Sequence, residues 1–154
     1  NTDGTFTTTV TAEEASFSED LTASDITVSY LRLDEEAYAR SAIRKLGNLY
    51  RGLYPDTDSV PEFMGAFLND HNIKQFHMEL KSLTDEEAVV HFHYCPMCGA
   101  WTKLTDDEKE IGMICDCAMD VDRGVFDLYD HIGFKLEKAI GCGDDVCELH
   151  FYKK

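Results

Sequence analysis

Two stretches of this chain switch from helical to alternating side-chain period, and they constrain the fold more than any other feature. From Ile73, the residues Phe76, Met78 and Leu80 fall on one side of an extended backbone, with Gln75, His77 and Glu79 on the other. A turn at Thr84-Asp85 leads into Ala88, Val90, Phe92 and Tyr94, which alternate with Val89, His91, His93 and Cys95. The pattern returns at Phe134, Leu136, Lys138 and Ile140. Gly141-Cys142-Gly143-Asp144 then turns the chain into Cys147, Leu149 and Phe151. Two hairpins predict a four-stranded antiparallel sheet. One face of each strand is apolar and needs cover, so the helices belong on one face, giving an α+β domain.

The helices are legible from their caps and stripes. Asp34 reads as an N-cap, with Glu35 and Glu36 where the helix dipole favours negative charge. The following helix extends to about Leu53, with Ala39, Ile43, Leu46, Leu49 and Leu53 as its apolar stripe. Gly47 in its middle costs helix stability, and close packing is a reason to keep it. Ser59-x-x-Glu62 is a capping box ahead of Phe63, Met64, Phe67 and Leu68. Cys95-Pro96 opens a short helix to about Leu104, and Thr105-x-x-Glu108 is a further capping box. A longer helix is expected from Cys117 to Ile132, its core side formed by Ala118, Val121, Val125 and Leu128.

Residues 1–25 are rich in Thr, Ser, Ala and acids and read as a flexible or loosely docked segment. Residues 26–33 alternate as a short strand, and residues 26–154 form a single α+β domain. A chain of 154 residues is long enough for one real core. Thirty acidic against 14 basic side chains give a net charge of −16. That surface repels phosphate, so neither nucleic acid nor an anionic membrane is an expected partner. No apolar run approaches the ~20 residues of a membrane span, and no basic segment followed by an apolar one opens the chain as a signal peptide would. Close cysteine spacings suit metal or redox chemistry in a reducing cytoplasm better than long-loop disulfides, with a secreted disulfide-linked domain as the alternative.

The chemistry concentrates between His91 and Cys117. Four of the six cysteines, Cys95, Cys98, Cys115 and Cys117, share this segment with two histidines and the one tryptophan. Four thiolates bind zinc tetrahedrally, or, less typically for a C-x-C arm, an iron–sulfur cluster. The competing reading is four buried apolar cysteines. A C-x-C pair chelates only if both residues are not helical, because two helical steps turn ~200°. His91 and His93 on one strand face, with Asp120 one helical step from Cys117, supply groups for acid–base work. Cys147 faces inward on the last strand as packing residue, ligand or nucleophile.

Cys95-Pro96 after a strand, then Cys115, Cys117 and Asp120, then Gly143-Asp144-x-x-Cys147-x-Leu149-x-Phe151, together resemble the L-2-amino-thiazoline-4-carboxylic acid hydrolase-like family over roughly residues 35–153. The last hairpin is also similar to that of vinyl-reductase-type ligand-binding domains, where a cysteine matching Cys147 helps hold zinc. The first resemblance implies hydrolytic opening of a thiazoline-type C–N or C–S bond in a compact substrate. His91, His93, Asp120 and Cys147 are then the expected catalytic groups, and Cys95, Cys98, Cys115 and Cys117 the expected ligands of a transition metal, zinc first. Cys98 and one of Cys115/Cys117 are extra relative to the family pattern. The second resemblance implies a non-catalytic module that binds a metal or small ligand.

Overall fold

The computed structural model describes residues 5–12, 15–22 and 35–154. The expected strand at 26–33 and the Asp34 cap lie outside these residues. The chain divides into two compact units, residues 1–38 and 39–154. Within the first, β1 (Thr5–Ala12) pairs antiparallel with β2 (Ala15–Thr22), and the register sets Phe6 opposite Leu21 and Val10 opposite Phe17. The Thr-rich composition that suggested a loose segment also suits strands, because β-branched side chains fit an extended backbone.

The second unit is built on one sheet. Its strands are β3 (Met78–Leu83), β4 (Glu87–Phe92), β5 (Ile132–Lys138) and β6 (Cys147–Lys153). Their order is β3-β4-β6-β5, and every pairing is antiparallel. The two hairpins are those expected, joined through β4 and β6. Alternation does the sorting: Ala88, Val90 and Phe92 on β4, and Leu149 and Phe151 on β6, are buried. Val60, Phe63, Met64 and Phe67 of α2 (Val60–Phe67) cover that face, with Val125 and Phe126 of α6 (Asp120–Phe126) beside them. Phe63 meets Phe126 edge-on with centroids 5.0 Å apart. The fold is therefore α+β, with a four-stranded antiparallel sheet and helices on one face.

The cap signals mark several helix starts. Ser59 accepts from the Glu62 N–H at 3.3 Å, as its capping box predicts. Asp107, not Thr105, caps α5 (Glu108–Ala118): its carboxylate accepts from the Lys109 and Glu110 N–H groups, while the Thr105 hydroxyl accepts from the Asp107 N–H. Two expectations fail. Residues 70–76 form a helix, α3 (Asp70–Phe76), not the start of a strand. Asn69 caps it, accepting from the Asn72 N–H at 3.0 Å, and His77 ends it in the left-handed region at φ 48°. A local cap here outweighs a period read from few residues. The single helix expected from Cys117 to Ile132 is two helices meeting at Met119, and Ile132 begins β5.

The first long helix, α1 (Glu35–Tyr50), ends three residues before Leu53, and Arg51–Leu53 continue as a 3-10 turn. Its apolar stripe does not enter the core: Leu49 is 76% exposed and Leu53 74%. Gly47 is buried instead. A Cβ there would overlap the Val121 carbonyl and lie 2.9 Å from Gly124 Cα. A Cβ on Gly124 would overlap the Arg44 carbonyl and lie 3.1 Å from Gly47 Cα. The two helices cross backbone to backbone, and Asn48 Nδ2 donates to the Gly124 carbonyl at 2.6 Å. By contrast, a Cβ on Gly65 in α2 meets nothing within 4 Å. Gly65→Ala is expected to stabilise the fold by ~0.5–1 kcal/mol by restricting the unfolded chain, read as a higher midpoint in urea.

Candidate functional site

Three elements carry thiols toward one place. Cys95 caps α4 (Pro96–Trp101), and its sulfur accepts from the Cys98 N–H at 3.5 Å. Cys115 in α5 packs on the 3-10 turn Ile140–Cys142, so closely that a Cβ on Gly141 would lie 2.8 Å from its sulfur. Cys147 opens β6 opposite Phe92, and its sulfur accepts from the Ile140 N–H at 3.4 Å. All six cysteines are free thiols. Burial first, and a charge on Cys147 second, push the Cys115 thiol up to about 12. Burial also raises Cys147 and Cys98. These three are held as neutral thiols at ordinary pH. Cys95 is half-buried.

Cys117 stands apart. It and Cys115 both lie inside α5, so the ~200° between them aims their sulfurs in different directions. Its thiol donates to Met113 Sδ at 3.9 Å. Among the described residues, Cys95, Cys98, Cys115 and Cys117 do not form a group of three or more ligand atoms within 4.8 Å of one another. A continuous helix through both members of the C-x-C pair accounts for this.

Asp120 and the histidines are also separate from the thiols. Asp120 is 4% exposed and faces α1. Its carboxylate accepts from Arg40 at 3.1 Å, Arg123 at 3.1 Å and Arg44 at 3.4 Å. His91 and His93 alternate with the buried Val90 and Phe92 and therefore lie on the outer face of the sheet. His91 pairs with Glu148 at 3.0 Å and His93 with Glu79 at 2.9 Å. Cys95 does not share their face, because the strand has ended and the residue caps a helix.

The inner face encloses a pocket of about 200 Å³ between helices and sheet. Its wall is predominantly apolar, with Tyr54, Phe76, Phe92, Trp101, Val125 and Leu149 contributing, and Cys95, Cys115 and Cys147 open onto it. Among the described residues, the one carboxylate on the wall is that of Asp122. Loss of water raises its carboxyl to about 6, although its own N–H and the charge of Arg123 act in the other direction. Tyr54 is pushed up to about 12 by burial first and by the Asp122 charge second, so it stays a hydroxyl donor.

Asp122 and Tyr54 are the groups that reading the sequence missed. A signal for Asp122 existed: Ala118, Val121, Asp122 and Val125 share a helical face, so an acid interrupts an apolar stripe.

The family model for L-2-amino-thiazoline-4-carboxylic acid hydrolase matches residues 29–151. The chain belongs to that family. The match spans both hairpins of the sheet and every residue of the pocket wall, so the family relation covers the candidate site as well as the fold. Members carry the name of a hydrolase, which places this thiazoline-hydrolase homologue in a hydrolase family with a small-molecule substrate. A search of curated proteins finds no match. Among solved structures, the chain is similar to a trafficking protein particle complex subunit 3 from Naegleria fowleri covalently bound to palmitic acid, at 14% identity and a TM-score of 0.49, covering 85% of this chain and 89% of that one. No described helix is long and apolar enough to cross a membrane.

Proposed function

We propose that this family member is a small hydrolase that opens a C–N or C–S bond of a compact cyclic amidine or thiazoline-type substrate in the pocket between helices and sheet. The observation that supports it is the shared wall of Asp122, Tyr54 and the thiols Cys95 and Cys147. Opening such a ring needs a nucleophile on the ring carbon and an acid for the departing nitrogen or sulfur. A carboxyl near 6 holds and releases a proton close to neutral pH, so Asp122 fits the acid–base part. It also gives the cationic form of an amidine a counter-charge away from water. Tyr54 donates a hydrogen bond without titrating. Cys95 is the proposed nucleophile. It is the least buried of the three thiols on the wall.

Among the described residues the wall carries no lysine or arginine to meet a substrate carboxylate. This favours substrates less polar than the family's namesake. The same feature supports a second reading, a pocket that binds a compact apolar ligand without turnover.

The test is a panel of cyclic amidines and thiazolines, the namesake included, followed by proton NMR for the ring-opened product. Asp122→Asn is expected to lower kcat/KM by ~10²–10⁴ and to remove the pH dependence near 6. Binding in the pocket with no product from any member of the panel would replace the hydrolase with the binding module.

Asp122 also predicts a stability effect with a definite sign. Its folded value lies above its ordinary 3.8, so the folded state holds the proton more tightly, and stability falls as pH rises from about 4 through about 6. Asp122→Asn should therefore raise Tm at pH 8 and leave it unchanged below pH 4. A lower Tm at pH 8 would show that the carboxylate is stabilised in place.

A further inference from the structure

The outer face of the sheet holds a second cluster, directed away from the pocket. β4 is central enough to be flanked on both sides, and β-sheet register brings one acid from each neighbour to His91: Glu79 on β3 and Glu148 on β6. His93 follows two residues on and shares the face, its ring centroid 6.1 Å from that of His91. His93 Nε2 lies 2.9 Å from Glu79 Oε2, and His91 Nε2 lies 3.0 Å from Glu148 Oε2. Lys81 Nζ donates to the other Glu79 oxygen at 3.0 Å, leaving Oε2 on the side of the imidazoles. One ligand atom from each of Glu79, His91 and His93 lies within 4.8 Å of the other two.

We propose that Glu79, His91 and His93 form a site for a divalent first-row transition ion, of the zinc or copper kind, on the outer face of the β3–β4 hairpin. Two imidazole nitrogens and one carboxylate oxygen are the borderline donor set that such ions take, and magnesium or calcium does not. Ligands at ~2.0–2.2 Å from one ion sit about 3–3.5 Å from each other. The three donors close that gap by side-chain rotation, since Glu79 and His93 are exposed. Glu148 on the His91 ring orients the imidazole as an acid beside a metal-bound histidine does, and Lys138 meets the same carboxylate oxygen at 3.0 Å. The net charge of −16 raises the local concentration of cations. Solvent completes the coordination shell.

The placement has a mechanical consequence. Among the described strands β3 pairs with β4 alone, and it is exposed along nearly its whole length. An ion held by Glu79 on β3, His91 on β4 and His93 just past its end clips β3 to β4. Binding to the folded state alone then raises stability with ion concentration.

The experiment is titration of metal-stripped full-length protein with zinc chloride, read by calorimetry and by Tm. One saturable equivalent with a rising Tm is expected. His91→Ala/His93→Ala should weaken binding at least tenfold and remove the Tm shift, while the Tm without metal stays close to that of the parent, because both rings lie on the outer face. Cys95→Ser/Cys98→Ser should bind as the parent does. Cobalt-loaded protein should lack thiolate charge-transfer absorption. Absence of saturable zinc binding overturns the proposal. So does binding that survives the histidine variant and disappears with the cysteine one. Neither result bears on turnover in the pocket, so this site and the hydrolase reading stand or fall separately.

Discussion

Asp120→Ala is expected to cost the fold about 2–3 kcal/mol, a fall in Tm of roughly 4–12 °C for a chain of this size. The carboxylate is only 5% exposed, and three guanidinium groups converge on it from α1 and α6. Removing one partner of a buried pair costs ~3–5 kcal/mol because the other charge is left uncompensated. Here the arginines are 27%, 45% and 28% exposed, and each keeps another acid. Arg40 and Arg123 hold Asp116, and Arg44 grips Asp127 through both carboxylate oxygens. The estimate is lowered accordingly. Asp120→Asn keeps the shape and should lose less. The network also predicts acid sensitivity. Hydrogen bonds to arginine hold Asp127 below its ordinary value, and hold Asp116 below it despite partial burial. Their stabilisation is therefore complete above the unfolded value near 4 and is lost as pH falls below it. Thermal unfolding of Asp120→Ala at pH 7 gives the comparison. A Tm within 1 °C of the parent would mean that solvent screens the cluster almost completely.

Gly47→Ala is expected to cost ~3 kcal/mol or more, and Gly124→Ala about as much, although alanine is the better helix former by ~1 kcal/mol. The obstacle is backbone. The added methyl on Gly47 meets the Val121 carbonyl and Gly124 Cα, and the one on Gly124 meets the Arg44 carbonyl. No rotamer change relieves either contact. The helices must separate, which also lengthens the Asn48–Gly124 hydrogen bond and the Arg44–Asp120 contact. Because the two substitutions enforce the same separation, the double variant should cost less than the sum of the singles. Urea unfolding of both singles and the double measures this. Full additivity would show that the crossing adjusts independently at each glycine.

The sheet was readable because its signal is local. In β4 and β6 every second residue is apolar, and the Gly141–Asp144 turn lies between alternating segments. Any fold that buries Val90, Leu149 and Phe151 must place His91, Glu148 and His150 outside. The errors fell where two local signals competed. Asn69 and the left-handed His77 made a helix of residues that also alternate, and the one helix expected from Cys117 to Ile132 is divided at Met119. Asp120 is taken by arginines of α1 and α6, and Asp122 lines the pocket. α1 was misread for another reason. Its leucine stripe has the right period, but Gly47 permits a closer approach than any stripe, and the glycine face is the one buried.

The sequence by itself determined the antiparallel sheet, the face each strand turns inward, the Ser59 cap and the family, because each rests on neighbours in the chain or on the order of motifs. Only the tertiary structure decided which polar groups meet. Asp120 with three arginines, Asp122 with Tyr54 in an apolar pocket, and Glu79 with His91 and His93 join residues from elements whose spacing in space no period encodes. The thiols show the boundary plainly. Proximity along the chain put Cys115 beside Cys117, and one continuous helix set them on different sides, because ~200° of helical rotation outweighs two residues of sequence separation.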